Sequence, residues 1–180
     1  MYVNPKGLTQ LHTIYQMKTM RLFLLSFAAV LFIGCNNQQE EESVKRKRTE
    51  PTFRHDGQLW IMDHISGDTI SELRIEMVKK RQDIEYGMMY RTFMDENTGM
   101  LFFMQQERPQ SFYMKNTYVS LDIIYINRDK EIVSIVERAE PLSEKSLPSG
   151  KPALYVLEVI GGYSAKYGVK AGDKIDFVEI

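Results

Sequence analysis

The sequence is poor in the residues on which most cross-linking and much hydrolytic chemistry depend. It has one cysteine in 180 residues, so no disulfide can form within the chain. It has three histidines, of which only His55 and His64 lie beyond residue 34. A Ser-His-Asp triad, a Cys-His pair or a His-rich zinc site therefore has little to be built from. Positive charge is not in excess: 23 Lys and Arg stand against 24 Asp and Glu. The electrostatic footprint of a nucleic-acid partner is missing. There is no internal repeat, and Gly161-Gly162 lacks the surroundings of a phosphate-cradling loop.

What is present begins with an address. Lys18 and Arg21 precede an uncharged apolar run from Leu22 to Ile33, which ends at Gly34-Cys35. The run fits the ~7–15 residues of a signal-peptide core and falls short of the roughly 20 that span a bilayer. A small residue followed by a thiol is what a lipoprotein peptidase requires. Leu31-Phe32-Ile33-Gly34-Cys35 resembles a lipobox, with Phe32 where Leu is usual. Residues 1–34 read as a signal peptide, 1–16 as an upstream extension ahead of a start at Met17 or Met20, and Cys35 as the lipidated first residue of the mature chain. That places the protein in the cell envelope, held to a membrane by lipid outside the cytoplasm, facing the periplasm or at the cell surface. With Cys35 acylated, no thiol remains for catalysis or metal.

Removing Lys6, Lys18 and Arg21 with the leader leaves 20 basic side chains against 24 acidic ones, a net charge of −4. Residues 35–52 read as a disordered tether, because Asn36–Pro51 has no aromatic and a single aliphatic, Val44. Lys45-Arg46-Lys47-Arg48 within it suits solvent or lipid headgroups. Residues 53–180 are one globular domain's length of chain.

Within that domain, Gln58–His64 and Thr69–Val78 read as strands around a turn at Ser66-Gly67-Asp68. Lys80–Tyr90 is the principal helix, with Ile84 and Met88 on its apolar face. Strands follow at Gly99–Met104, Ser111–Met114, Leu121–Asn127 and Ile132–Arg138, the last two joined by a turn at Arg128-Asp129-Lys130. Ala139–Lys151 reads as a loop, Leu154–Val159 as a strand, Tyr163–Tyr167 as one helical turn and Lys174–Ile180 as a closing strand. The expected fold is α+β: a curved, mostly antiparallel sheet or partial β-barrel with one principal helix.

Chemistry is densest from Phe112 to Ile126. Leu121, Ile123 and Tyr125 share one strand face; Asp122, Ile124 and Ile126 share the other, so the strand is buried on both sides. An ionised Asp122 there needs partners. Two roles stay open for it: tying down the 115–120 loop through backbone N–H groups, or lining a pocket with Lys115 and Asn116. Thr117, Arg91 and Glu96 are further candidates for the pocket, with Tyr113 or Tyr118 as a stacking wall; Arg91 and Glu96 also suit a surface pair.

The runs Asp95–Phe103, Ser111–Thr117 and Leu121–Ile126, then Tyr155–Val159 with Gly161 and Gly168–Lys174, together resemble the uncharacterised family known as domain of unknown function 192. The match runs from about Ile75 to the C-terminus. Tyr113 stands where the family usually has Trp, Gly87-Met88-Met89 where it has Gly-Leu-Met, and Val78-Lys79 where it has Ala-Asp. The resemblance implies export for many members and assigns no activity.

Three function classes remain. The leading one is a non-catalytic module that binds a small molecule, a glycan or a protein partner. A hydrolytic enzyme working through carboxylates and Lys115 is the alternative, drawing on Asp122, Glu96 and Glu158. A Cu(I) carrier using the eight methionines beyond the leader ranks last: Met100 and Met104 would lie ~13 Å apart on a strand, and core packing explains such residues better. No cofactor or metal site is expected, and no nucleic acid. Cells fed an alkyne-bearing palmitate should label the protein, and Cys35→Ser should abolish the label; a Cys35→Ser chain that still takes up the probe would overturn the lipoprotein assignment.

Overall fold

The computed structural model describes residues 51–180. The leader, Cys35 and the tether up to residue 50 lie outside the described residues. The chain forms seven strands and two short helices. Strand β1 (Gly57–Met62) pairs antiparallel with β2 (Thr69–Val78), as the turn signal between them suggests. Asp63 builds that turn: its Oδ1 accepts the N–H of Ile65 at 2.8 Å and of Ser66 at 2.9 Å.

After β2, helix α1 covers only Arg81–Tyr86 and buries none of its residues. This corrects the expected Lys80–Tyr90 helix. Gly87 ends it at φ +44°, a backbone state that glycine adopts far more easily than other residues. The chain reverses there and drops Met88 into the core instead of continuing along the surface. Strand β3 (Thr98–Phe112) runs parallel to β2 and antiparallel to β6 (Leu147–Ile160). It unites two segments expected as separate strands, passing through a register shift between Phe103 and Arg108. Likewise β6 begins inside the expected 139–151 loop. Pro148 and Pro152 are accommodated because β6 has only β3 as its ladder neighbour at that level.

Strand β4 (Leu121–Ile126) lies between β6 and β5 (Ile132–Ala139), and all six of its residues are buried. Helix α2 (Tyr163–Tyr167) leads to β7 (Lys174–Glu179), which pairs with β1. The sheet order is β5-β4-β6-β3-β2-β1-β7. Its two edges meet at one end: Ile132 donates to the Asp173 carbonyl at 2.8 Å and Ile175 to the Lys130 carbonyl at 2.9 Å. The domain is thus predominantly β, a curled mixed sheet forming half a barrel. One principal helix is the part of the expected α+β class that does not hold.

Both faces of the central strands are covered. The inside of the curl packs Leu59, Leu73, Ile75, Leu101, Ile124 and Leu157. The outer face packs Met88, Met100, Phe102, Ile123, Tyr125 and Val156 under the segments that follow β2 and β3. The second layer is why Glu76 and Val78, on the face of β2 where solvent was expected, are buried along with Met77.

Candidate functional site

Asp122 is fully buried and engaged wholly with backbone. Its Oδ1 accepts the N–H groups of Arg138 and Gly162, each at 2.8 Å, and its Oδ2 accepts that of Ser164 at 2.8 Å. One carboxylate thereby fixes the end of β5, the turn after β6 and the start of α2. Of the two roles open to Asp122, the backbone-tying one describes it, but the segments tied are 138 and 162–164, not the 115–120 loop. The same contacts account for Gly161-Gly162. A side chain at Gly161 would meet Ser120 Oγ at 2.5 Å, and one at Gly162 would meet the Arg138 guanidinium at 2.7 Å.

The expected pocket of Arg91, Glu96, Tyr113, Lys115, Asn116, Thr117 and Asp122 does not assemble as one site. Lys115 faces outward, 3.6 Å from Glu144. Glu96 pairs with Lys166 rather than Arg91, and that partner lowers its pKa. Asn116, at φ +55°, grips the chain before Arg91: its carbonyl accepts the Tyr90 N–H at 2.8 Å and its amide reaches the Tyr90 hydroxyl at 3.0 Å. The Lys-Asn-Thr segment therefore acts as a clamp that sets where Arg91 enters.

Arg91 enters the outer core. Both its terminal nitrogens bond the carboxylate of Glu76, one of them at 3.0 Å, and the pair is buried. Its Nε has no partner. It lines a cavity of about 210 Å³ with Glu76, Met88, Phe93, Met94 and Met100. Register shows what lies beside the pair. Glu76 is opposite Met100 on β3, and Met100 is opposite Glu158 on β6. Opposed residues on paired strands project to the same face, so two buried carboxyls share one face of the sheet, two strands apart.

Glu158 differs from Glu76 in having no cation bound to it. It is 5% exposed, and its Oε2 has no hydrogen-bond partner. Burial raises its pKa from 4.5 to about 8, against a smaller opposing pull from Arg91. At neutral pH it is a protonated acid that can donate a hydrogen bond. It opens on a second cavity, about 170 Å³, walled by Met88, Phe102, Met104 and Phe112, with Tyr113 and Thr117 also in the lining. Of the candidates read from the sequence, Tyr113 and Thr117 reach this cavity and Arg91 lies next to it. Glu76 was missed, and Glu158, read from the sequence as an acid–base group for the enzyme alternative, was not placed in the pocket. The signal for Glu158 was a lone acid inside the apolar run Tyr155–Ile160. For Glu76 there was none, since alternation along β2 put it on the wet face.

Among the described residues, Asp63, His64 and Asp173 are the one acid-and-histidine cluster close enough to hold an ion. Lys170 already supplies the positive charge there, with Nζ 3.0 Å from Asp63 and 3.8 Å from Asp173. Asp173, fully buried, also accepts the Lys170 N–H at 2.9 Å and lies 3.0 Å from His64 Nδ1. The cluster anchors the start of β7.

Two stability measurements check these assignments. Asp122→Ala strands three backbone N–H groups and should lower the unfolding free energy by roughly 3 kcal/mol or more, whereas Lys115→Ala should stay within about 0.5 kcal/mol. Equal effects in urea denaturation would contradict the division of roles. For Glu158 the native pKa exceeds the unfolded one, so the native state holds a proton that the unfolded chain has lost between about pH 4.5 and 8. Stability therefore falls across that window. Glu158→Gln removes the titration, and its stability relative to wild type should climb with pH by up to about 1.4 kcal/mol per unit. A difference that does not change with pH would exclude a buried neutral Glu158.

Comparison with known proteins places the fold. The family described as DUF192, an uncharacterised group, matches residues 63–177. A protein of Sinorhizobium meliloti 1021, designated a candidate transcription regulator, is 34% identical; the match covers 71% of this chain and 98% of that one, with a TM-score of 0.65. A protein of unknown function from Novosphingobium aromaticivorans DSM 12444 is 33% identical over 66% of this chain and 83% of its own, with a TM-score of 0.62. No curated protein matches. With the family pattern spanning most of the half-barrel and two solved structures sharing both fold and a third of the residues, the chain belongs to the DUF192 family.

Proposed function

We propose that this chain is a lipid-anchored envelope protein whose domain binds a small molecule or glycan in the cavity over Glu158, without transforming it. The observation that carries the reading is the carboxyl of Glu158. Among the described residues, four acids are buried: Glu76, Asp122, Glu158 and Asp173. Three are engaged by a guanidinium or by backbone N–H groups. A buried polar atom left without a partner costs about 1–3 kcal/mol, and a fold gains nothing from it unless something else supplies the bond. A ligand carbonyl or hydroxyl entering the cavity would accept the Glu158 proton. Met88, Met104 and Phe102 would cover its apolar surface, and Tyr113, half exposed, would stack at the entrance.

Two carboxyls on one face, Glu76 and Glu158, support hydrolysis as a second reading. Against it, both terminal nitrogens of Arg91 hold Glu76, which leaves it poorly placed to accept a proton or attack. The regulator designation of the Sinorhizobium protein finds no echo in the charge of this one, since the mature chain is net acidic. Export, likewise, rests on the leader and on no feature of the folded domain.

The test is a thermal-shift screen of the purified protein against envelope sugars, peptidoglycan fragments, nucleotides and amino acids. A ligand at 100 times its Kd adds about 2.7 kcal/mol. A hit should be lost in Glu158→Ala and kept in Lys115→Ala. Turnover of that hit, abolished by Glu158→Gln, would move the assignment to an enzyme. A blank screen over a cooperative melt would discard the small-molecule reading in favour of a protein partner.

A further inference from the structure

We infer that the cavity over Glu158 is the inner end of a longer cleft that takes a small acidic molecule, with an uncharged hydrogen-bonding end toward Glu158 and a carboxylate or phosphate at Arg108. The inference rests on the binding reading above and adds the class of ligand. It begins with continuity. Ile84, Glu85 and Met104 line both the Glu158 cavity and a second, wider one of about 410 Å³ between α1 and the outer part of β3. The two are parts of one trough whose narrow end is largely apolar with Glu158 buried in it and Glu85 at the junction, and whose wide end carries Arg81, Arg108 and Gln106.

The charges in the wide end are not all committed. Arg81 lies 3.6 Å from Glu85, an exposed pair of small energetic weight. Arg108 is exposed and makes no ion pair among the described residues. Gln110, beside it, is fixed by bonds from its amide nitrogen to the carbonyls of Gln106 and Ala153, both 3.1 Å. That pins the strand and leaves Arg108 as the cation of the wide end without an ion pair among the described residues. Arg108 is opposite Ala153, five residues from Glu158 along β6, a backbone span of ~17 Å at ~3.3 Å per residue. A compact ion cannot touch both ends.

The order of groups selects the ligand by elimination. A cation is disfavoured beside Arg81 and Arg108. A wholly apolar molecule would leave Glu158 unpaired. An anion cannot be buried against a carboxyl that has no cation of its own. What remains is an elongated acid: its charge stays in the wide, wet end, where a guanidinium binds carboxylate or phosphate well. Its amide or hydroxyl end passes Met104 and Ile84 to Glu158. An acidic amino-sugar disaccharide and an N-acyl tripeptide share this chemistry; three extended residues separate the acyl group from the carboxylate by about 10 Å, and the long Arg108 side chain spans the remainder.

Two matched pairs of elongated probes test it by calorimetry on the purified protein at pH 7: N-acetylglucosaminyl-N-acetylmuramic acid against N,N′-diacetylchitobiose, and N-acetyltriphenylalanine against its C-terminal amide. Within at least one pair the acid should bind roughly five- to tenfold more tightly than its uncharged counterpart, the effect of one partly exposed charge-assisted contact. Which pair responds separates the glycan from the acyl peptide. Arg108→Ala, an exposed change, should erase the preference. Glu85→Ala should enlarge it by freeing Arg81. Glu158→Ala should weaken both members of the pair, and Glu158→Gln, which keeps a donor, should restore them. Equal affinity for acid and neutral probe, or a preference that survives Arg108→Ala, would overturn the inference while leaving the Glu158 pocket standing. Failure of both acids to bind would overturn it too, and the broad screen would then judge the pocket separately.

Discussion

The covering of the sheet on both faces is the constraint from which the rest of the structure follows. A half-barrel of this size has one natural core, inside the curl. Here the segments after β2 and β3 fold back and add a second core on the outside, so β4 and the inner parts of β2, β3 and β6 meet no water on either side. In such a sheet every charge is costly unless it is matched on the spot. Asp122 is matched by three backbone N–H groups and Glu76 by Arg91. Those two solutions also organise the topology. The first joins β4 to the ends of β5 and β6 and to α2; the second draws the 87–96 segment down onto the sheet.

Glu158 stands apart because the same constraint is left unresolved there. It occupies the next place but one to Glu76 on the same face, close enough to feel Arg91 but not to share it. The protein meets the cost by keeping the proton. The consequence is a donor in the lining of a cavity walled largely by thioethers and aromatic rings. Around it, Asn116 holds Tyr90 and thereby Arg91, so Lys115 and Asn116 stay outside the cavity while Thr117 reaches its lining.

Electrostatics also explains the lower rim of the barrel. Asp173, Asp63, His64 and Lys170 knit the β1–β2 turn to the start of β7, where the sheet edges meet through Ile132 and Ile175. Hydrogen bonds to the turn N–H groups, Ser66 first, together with Lys170, hold the Asp63 carboxyl well below the usual range. A trio that resembles a metal site by composition is thus a closure device with lysine in the place of the ion.

Much of this was legible along the chain. Period-two alternation places β1 and β2, the polar turns place the hairpins, and a strand apolar on both faces announces that β4 is central and that Asp122 needs partners. Tyr163–Tyr167 and Lys174 onward are equally plain, because Gly168 and Gly172-Asp173 punctuate them. The family resemblance was carried by motifs in order and spacing. By contrast, the Lys80–Tyr90 periodicity overstated a helix that Gly87 ends early, and prolines disguised the first half of β6. Local pattern also set Asp122 and Lys115 in one pocket, since they are near in sequence. The sequence by itself determined the hairpin of β1 and β2, the closing strand and the central strand buried on both faces. Only the tertiary structure decided which acids share a face. Glu76 and Glu158 are 82 positions apart, and their meeting depends on β3 pairing parallel with β2 and antiparallel with β6, a choice set by how the whole sheet curls and closes, not by any local propensity.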